Sequence, residues 1–290
     1  QREDALPIVE NTPELKYVEF PQSAFYNLGW RMDKPELPFK DLNVRRALLM
    51  GINQQEIVDT YYSGHGAIVP QTVLPGWPDL FKDVWTPIEE LPPSADGFDN
   101  RKMFGYYPEE ARQMLADAGY PNGFKYSVTM YDTPNYTDHM QMAKAYWEKI
   151  GVNMELDVKE YGTWSSIYQT RTQPEALLCG RWGGEPYSAF CVRKGNRWNW
   201  GMVDNPIFDD YYDQMTALYF KPKERDAVMK KMNLDIIDYA PYYMLPVGTY
   251  YNLWWPWVKN FDGIYSLGLG GYYFEKYMWI DEDLKKSMGY

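Results

Sequence analysis

The side chains best suited to chemistry in this sequence sit in one short run. Residues 180–190 read Gly-Arg-Trp-Gly-Gly-Glu-Pro-Tyr-Ser-Ala-Phe. Glycines let backbone come close to a ligand. Trp182 offers a flat apolar face, Arg181 and Glu185 offer directional charge, and Tyr187 adds a phenol. That combination suits the binding of a small molecule rather than its turnover. Bond-breaking chemistry needs a nucleophile with a base, or paired carboxylates ~5–10 Å apart across a cleft. The sequence has no GxSxG phrase. Its paired acids, Glu89-Glu90 and Asp209-Asp210, are sequence neighbours whose side chains point apart. The two histidines, His65 and His139, lie far apart, and there is no HExxH or CxxC, so no metal site and no cofactor are expected. His65, in a Gly-His-Gly turn, reads as an exposed turn residue. Cys179 and Cys191 are compatible with a bridge across a short loop or with two buried thiols.

The elements that must position this run follow from periodicity. Ala176–Cys179 is an apolar run that reads as a buried strand, so residues 181–187 leave its carboxyl end. Open α/β sheets bind ligands at such ends. Upstream, Phe124, Tyr126, Val128 and Met130 alternate as a strand does. A helical face follows with Met140, Ala143, Trp147 and Ile150, and Val152, Met154, Leu156 and Val158 alternate again. Strand–helix–strand predicts a parallel βαβ unit over 124–158. Further helices are predicted after Asp41, after Asn53 with Glu56 completing a capping box, after Pro108, after Asn205-Pro206 and after Pro222. Arg45 and Arg46 lie within a helix, where a salt bridge or packing is expected of them. Residues 67–105 carry many prolines and glycines without periodicity and read as a long ordered loop. The fold class is α/β with a mixed sheet.

Composition narrows the partners. The chain of 290 residues is 45% hydrophobic and 24% charged, enough apolar material for a sizeable core. Its formal net charge is −11, which disfavours nucleic acid and anionic membranes. No run reaches the ~20 apolar residues of a membrane span. Aromatic residues make up 18%, with 27 Tyr and 12 Trp, and such rings suit half-wet surfaces that touch ligands. Gln1 is not a native start, so the chain is expected to be processed or cut from a longer one.

Four phrases in order resemble one family. Pro38-Phe39-Lys40-Asp41-Leu42-Asn43-Val44-Arg45-Arg46-Ala47 with Ile52 to Val58, then Tyr107-Pro108-Glu109-Glu110-Ala111 running to Ala118-Gly119-Tyr120-Pro121-Asn122-Gly123-Phe124, Ile150-Gly151-Val152-Asn153-Met154-Glu155-Leu156, and Pro241-Tyr242-Tyr243-Met244-Leu245 are similar to the signature segments of bacterial extracellular solute-binding proteins, family 5. These are the peptide-, oligopeptide- and nickel-binding receptors of ABC importers. The resemblance implies a type II periplasmic-binding-protein-like lobe whose first lobe is missing from this chain. It implies residues 1–30 as a hinge-proximal leading segment, 31–246 as the second α/β lobe, and 247–290 as a return segment toward the missing N-terminal lobe. It implies a non-catalytic receptor that captures a peptide or other small solute for permease subunits. It also implies an extracytoplasmic location, lipid-anchored in the full-length protein and so membrane-associated. The 181–187 loop is similar to the family's cleft-facing loop, which makes Trp182, Glu185 and Tyr187, with Arg181, the candidate ligand contacts. The acid that pairs with a peptide's ammonium in peptide binders falls on Gly184, with Glu185 next to it. An oligosaccharide-binding receptor of the same family and a carbohydrate-active enzyme are the other readings of this aromatic, acidic chain.

Overall fold

A computed structural model describes residues 2–22, 24–70, 83–182, 191–263 and 275–290. In chain order, helix α1 spans Arg2–Asn11, and strands β1 and β2 span Lys16–Pro21 and Ala24–Trp30. Helices α2 and α3 cover Leu42–Met50 and Gln54–Tyr61, and β3 is the short pair Gly66–Ala67. The centre holds α4 (Pro108–Asp117), β4 (Phe124–Tyr131), α5 (Pro134–Lys149), β5 (Val152–Lys159), α6 (Tyr161–Thr170) and β6 (Ala176–Trp182). Then come α7 (Pro206–Ala217), α8 (Pro222–Tyr239), β7 (Tyr242–Met244), β8 (Val247–Trp254), β9 (Val258–Lys259), β10 (Trp279–Ile280) and α9 (Glu282–Ser287). Among the described residues, no helix is long and apolar enough to cross a membrane.

The helix starts follow their capping chemistry. The Asp41 carboxylate accepts from the Asn43 amide, and the Asn53 side chain accepts from the Glu56 N–H at 3.1 Å while its own amide, in place of the backbone N–H of a capping box, donates to the Glu56 carboxylate at 3.0 Å. Prolines at the first position of α4, α5, α7 and α8 supply a pre-set φ where no N–H is needed.

The main sheet has five strands in the order β5-β4-β6-β2-β7. β4 runs parallel to β5 and to β6, while β2 is antiparallel to β6 and β7, so the sheet is mixed. Phe124 stands opposite Val152 and Tyr131 opposite Lys159, which is the expected βαβ pairing. Gly123, at φ +68°, sits where a Cβ would lie 1.8 Å from the Gly151 carbonyl oxygen, so the turns entering β4 and β5 touch backbone to backbone.

Consecutive residues of a strand enter opposite layers. Ala176 and Leu178 join one core cluster with Ala47, Leu115, Met140 and Trp147, whereas Leu177 and Cys179 join the other with Trp164, Phe208, Met229 and Met232. Tyr243 and Tyr242 divide the same way. Helices therefore cover both faces, α2, α4 and α5 on one and α6, α7 and α8 on the other. Arg45 and Arg46 prove to be packing and ion-pair residues. Arg45, only 2% exposed, donates to the carbonyls of Phe39, Lys40, Tyr239 and Ala240 and so ties α2 to the end of α8. Arg46 pairs with Asp96 and Asp238. Cys179 and Cys191 are both buried, as thiols, in the second cluster.

A second, smaller sheet stands beside the body in the order β1-β8-β3. β1 and β8 form a two-stranded antiparallel ribbon, with Lys16 opposite Trp254 and Pro21 opposite Thr249. The ribbon joins the chain's first residues to its last third.

Candidate ligand-binding site

A cavity of about 500 Å3 among the described residues falls within the ~300–1,000 Å3 typical of small-molecule sites. It lies where the body meets the ribbon, and each lining element arrives there for a local reason. β4 ends at Tyr131 and α5 begins at Pro134, so Asn135, Tyr136 and His139 stand in the first turns of the helix after a parallel strand. β6 ends three residues later than its apolar run suggests, and Gly180 there pairs with Tyr26 of β2. A Cβ at Gly180 would lie 2.2 Å from the Tyr26 ring, so only glycine lets that ring cross the strand. The Tyr26 and Tyr136 ring centroids are 3.6 Å apart, so Tyr26 bridges the end of β6 and the start of α5. From the other side come Tyr61, Tyr62 and His65 at the end of α3, and Leu245 to Tyr250 leading into the ribbon.

The electrostatics are quiet. His139 is 2% exposed, and burial pushes its imidazole down to about 4 against the opposing effect of the Asn135 carbonyl and Asp138. It is therefore neutral at pH 7. Its Nδ1 faces the Asn135 carbonyl at 3.2 Å, and its Nε2 faces the Tyr62 hydroxyl at 3.4 Å. Nδ1 thus carries the proton and Nε2 is the acceptor. Burial raises the Tyr26 and Tyr62 phenols, so both stay protonated. At the rim, His65 Nδ1 lies 2.6 Å from the Glu19 carboxylate on β1, linking the body to the ribbon. Burial acts to raise Glu19, but hydrogen bonds with His65, Tyr251 and Thr249 outweigh it and hold the carboxyl below its usual range.

The expected site residues stand as follows. Arg181 and Trp182 belong by backbone to the end of β6, paired with Phe25 and Ala24, rather than to the loop after it. Glu185 and Tyr187 lie outside the described residues. The backbone of Arg181 and Trp182 thus leaves β6 at the same end of the sheet as Tyr26. His65 is not the isolated turn residue expected: it lines the cavity and engages Glu19. Sequence reasoning missed Asn135, Tyr136 and His139. The rule that chose the residues after β6 applies equally to those after β4, and applied there it selects this turn.

The amino-acid sequence matches the model of bacterial extracellular solute-binding proteins, family 5 Middle, over residues 1–222. The chain belongs to that family. Among curated relatives, it is 26% identical over 219 residues to heme-binding protein A of Haemophilus influenzae, covering 71% of this chain and 36% of that protein. It is 26% identical over 274 residues to the dipeptide-binding protein of Escherichia coli, covering 90% of this chain and 46% of that one. Among solved structures, the oligopeptide-binding protein AppA of Bacillus subtilis, in complex with a nonapeptide, superposes with a TM-score of 0.73 at 17% identity, over 96% of this chain and 54% of that chain. HbpA2 of Haemophilus parasuis superposes with a TM-score of 0.70 at 20% identity, over 88% of this chain and 48% of that chain. These structural likenesses establish the fold as a periplasmic-binding-protein α/β fold. The family 5 chain spans about half the length of the solved structures it matches, and less than half of the two curated relatives.

Proposed function

We propose that the chain forms one wall of a two-lobed receptor of an ABC importer, which closes around a small solute such as a peptide and hands it to permease subunits. Family membership supports this, as do relatives named for peptide, dipeptide and heme binding. The observation that carries it is the cavity at the carboxyl ends of the parallel strands, bordered by the β1/β8 ribbon. In this reading residues 1–30 and 247–290 lead from and back to the other lobe, and 31–246 form the second lobe. The receptor works outside the cytoplasmic membrane, held by a lipid anchor in the full-length protein, and it releases its solute chemically unchanged. Trp182, Glu185 and Tyr187, with Arg181, contact the solute from the end of β6.

Calorimetry on the two-lobed receptor, with the solute that copurifies with it, tests this site. Trp182→Ala is expected to cost ~1–3 kcal/mol of binding, the scale of a lost aromatic anchor. Glu185→Gln weakens binding if the solute is cationic. Unchanged affinity in Trp182→Ala, with the fold intact, moves the site away from the end of β6.

A further inference from the structure

The turn that ends α3 grips the ribbon in three ways. Ser63 and Gly64 take left-handed backbone, at φ 52° and 78°, which reverses the chain and carries it from the helix onto the ribbon. The first grip is a ring. Tyr62 packs on Gly248 of β8 so closely that a Cβ there would lie 2.6 Å from it. Its hydroxyl stands 3.3 Å from the Pro246 carbonyl, where the chain crosses from body to ribbon, and 3.4 Å from His139 Nε2 on α5. The second grip is backbone: Gly66 and Ala67 pair with Gly248 and Val247. The third reaches β1, where His65 meets Glu19, and Glu19 also accepts from Tyr251 across the ribbon. Ring, ladder and carboxylate thus tie both strands of the ribbon to one helix of the body.

All three grips fall on one half of the ribbon. They engage Glu19 on β1 and residues 246–251 on and before β8, the stretch that presents Thr249 and Tyr250 to the cavity beside Gln22. The other half has different neighbours. Trp254 meets Phe261 edge to face, ring centroids 5.1 Å apart, and Val18 lies against Gly263. Both of these partners follow the ribbon in the chain. A two-stranded ribbon has little stiffness of its own, and hinge motion is absorbed by a few residues between parts that are separately held.

Building on the two-lobed receptor reading above, we propose that the 62–67 turn is a clasp. It makes the near half of the ribbon a fixed wall of the cavity and sets the hinge between the lobes at Val18–Glu19 and Tyr251–Asn252. Tyr62 and His65 are positioning residues in this device. They hold Gln22 and Tyr250 at a constant distance from Tyr136 and His139 while the far half of the ribbon moves with the other lobe.

The test is a spin-label distance measurement on the two-lobed receptor stripped of solute. One label sits on the body at Lys125→Cys. The second sits on the near half at Tyr250→Cys or on the far half at Lys16→Cys, all three being exposed positions. Cys179 and Cys191 are buried and stay unlabelled. The 125–16 distance distribution is expected to be at least twice as wide as the 125–250 distribution. Tyr62→Phe with His65→Ala removes two side-chain grips while keeping the packed ring, and it is expected to widen the 125–250 distribution about twofold. Residues that served stability alone would lower the unfolding midpoint and leave that width unchanged. Tyr62→Ala is expected to widen it further, and the milder double variant carries the test if Tyr62→Ala does not fold. Equal widths for the two label pairs would overturn the inference by putting the bend at the crossings, 21–24 and 245–247. An unchanged 125–250 width in the folded double variant would overturn it too. Small-angle scattering separates this from the receptor reading. Compaction is expected in the receptor with its copurified solute relative to the stripped form, and equal radii of gyration would overturn the closing receptor whatever the label widths.

Discussion

In the body of the sheet, Trp30, Trp147 and Tyr243 are wholly enclosed, whereas around the cavity Tyr26 and Tyr136 keep part of their rings in solvent and Tyr250 is 41% exposed. Both regions are aromatic, and the same residue types do different work in each. In the body, rings fill space: Trp147 packs near Trp30, Tyr126 and Tyr243 and donates from its indole to the Leu48 carbonyl at 2.8 Å. At the cavity, rings meet where two sheets adjoin, with hydroxyls and the His65–Glu19 contact between them. The body is organised for stability, and the ribbon side is left with unfilled space and polar surface. A high content of Tyr and Trp thus reports two separate things, and only burial tells them apart.

The largest effect expected from this contrast is in the body. Trp147→Ala removes a fully buried ring and orphans the Leu48 carbonyl, and it should cost ~4 kcal/mol in urea denaturation. A loss under ~1 kcal/mol would mean that the two regions do not differ in the way described.

His139 sharpens the boundary, because it belongs to α5 of the body yet reaches the cavity. Its folded imidazole is held down to about 4 from an ordinary 6.5. As pH falls, the unfolded chain takes up the proton first. Stability from the neutral imidazole is therefore complete above about pH 6.5 and declines as pH falls toward about 4, by about 3 kcal/mol at ~1.4 kcal/mol per pH unit. Denaturation at stepped pH reads this directly. In His139→Gln the decline attributable to this group should vanish, and an unchanged slope would show that His139 is not held neutral.

The smallest effect is expected at the ribbon. Glu19 and His65 are each about a third exposed, so solvent screens their pairing, and Glu19→Gln should change stability by less than ~1 kcal/mol. A loss as large as that of Trp147→Ala would make the ribbon as structural as the body and would break the comparison.

Legibility in the sequence follows the same division. The βαβ unit was readable because β4 and β5 alternate and α5 carries an apolar stripe, each a periodic signal imposed by one-sided burial. Arg45 and Arg46 were readable as packing residues because they sit within a helix. The cavity has no period. Tyr26, Tyr62, Tyr136 and Tyr250 come from four separate stretches, and pairing across sheets, not spacing, brings them together. α1 was not anticipated, since Pro7 lies within it and its apolar residues form no clear stripe. The length of β6 was misjudged because its last residues, Gly180 to Trp182, are not an apolar run. They are held in the sheet by backbone pairing with β2.

The central claim is that this chain uses the ribbon side of its sheet to bind and the helical layers to support. Hydrogen exchange on the two-lobed receptor, with and without its copurified solute, tests it most directly. The account predicts that solute protects amides in 61–66, 135–139 and 245–250, together with 181–187, while α4, α7 and α8 exchange as before. Protection confined to α4, α7 or α8, with the cavity segments unchanged, would contradict it.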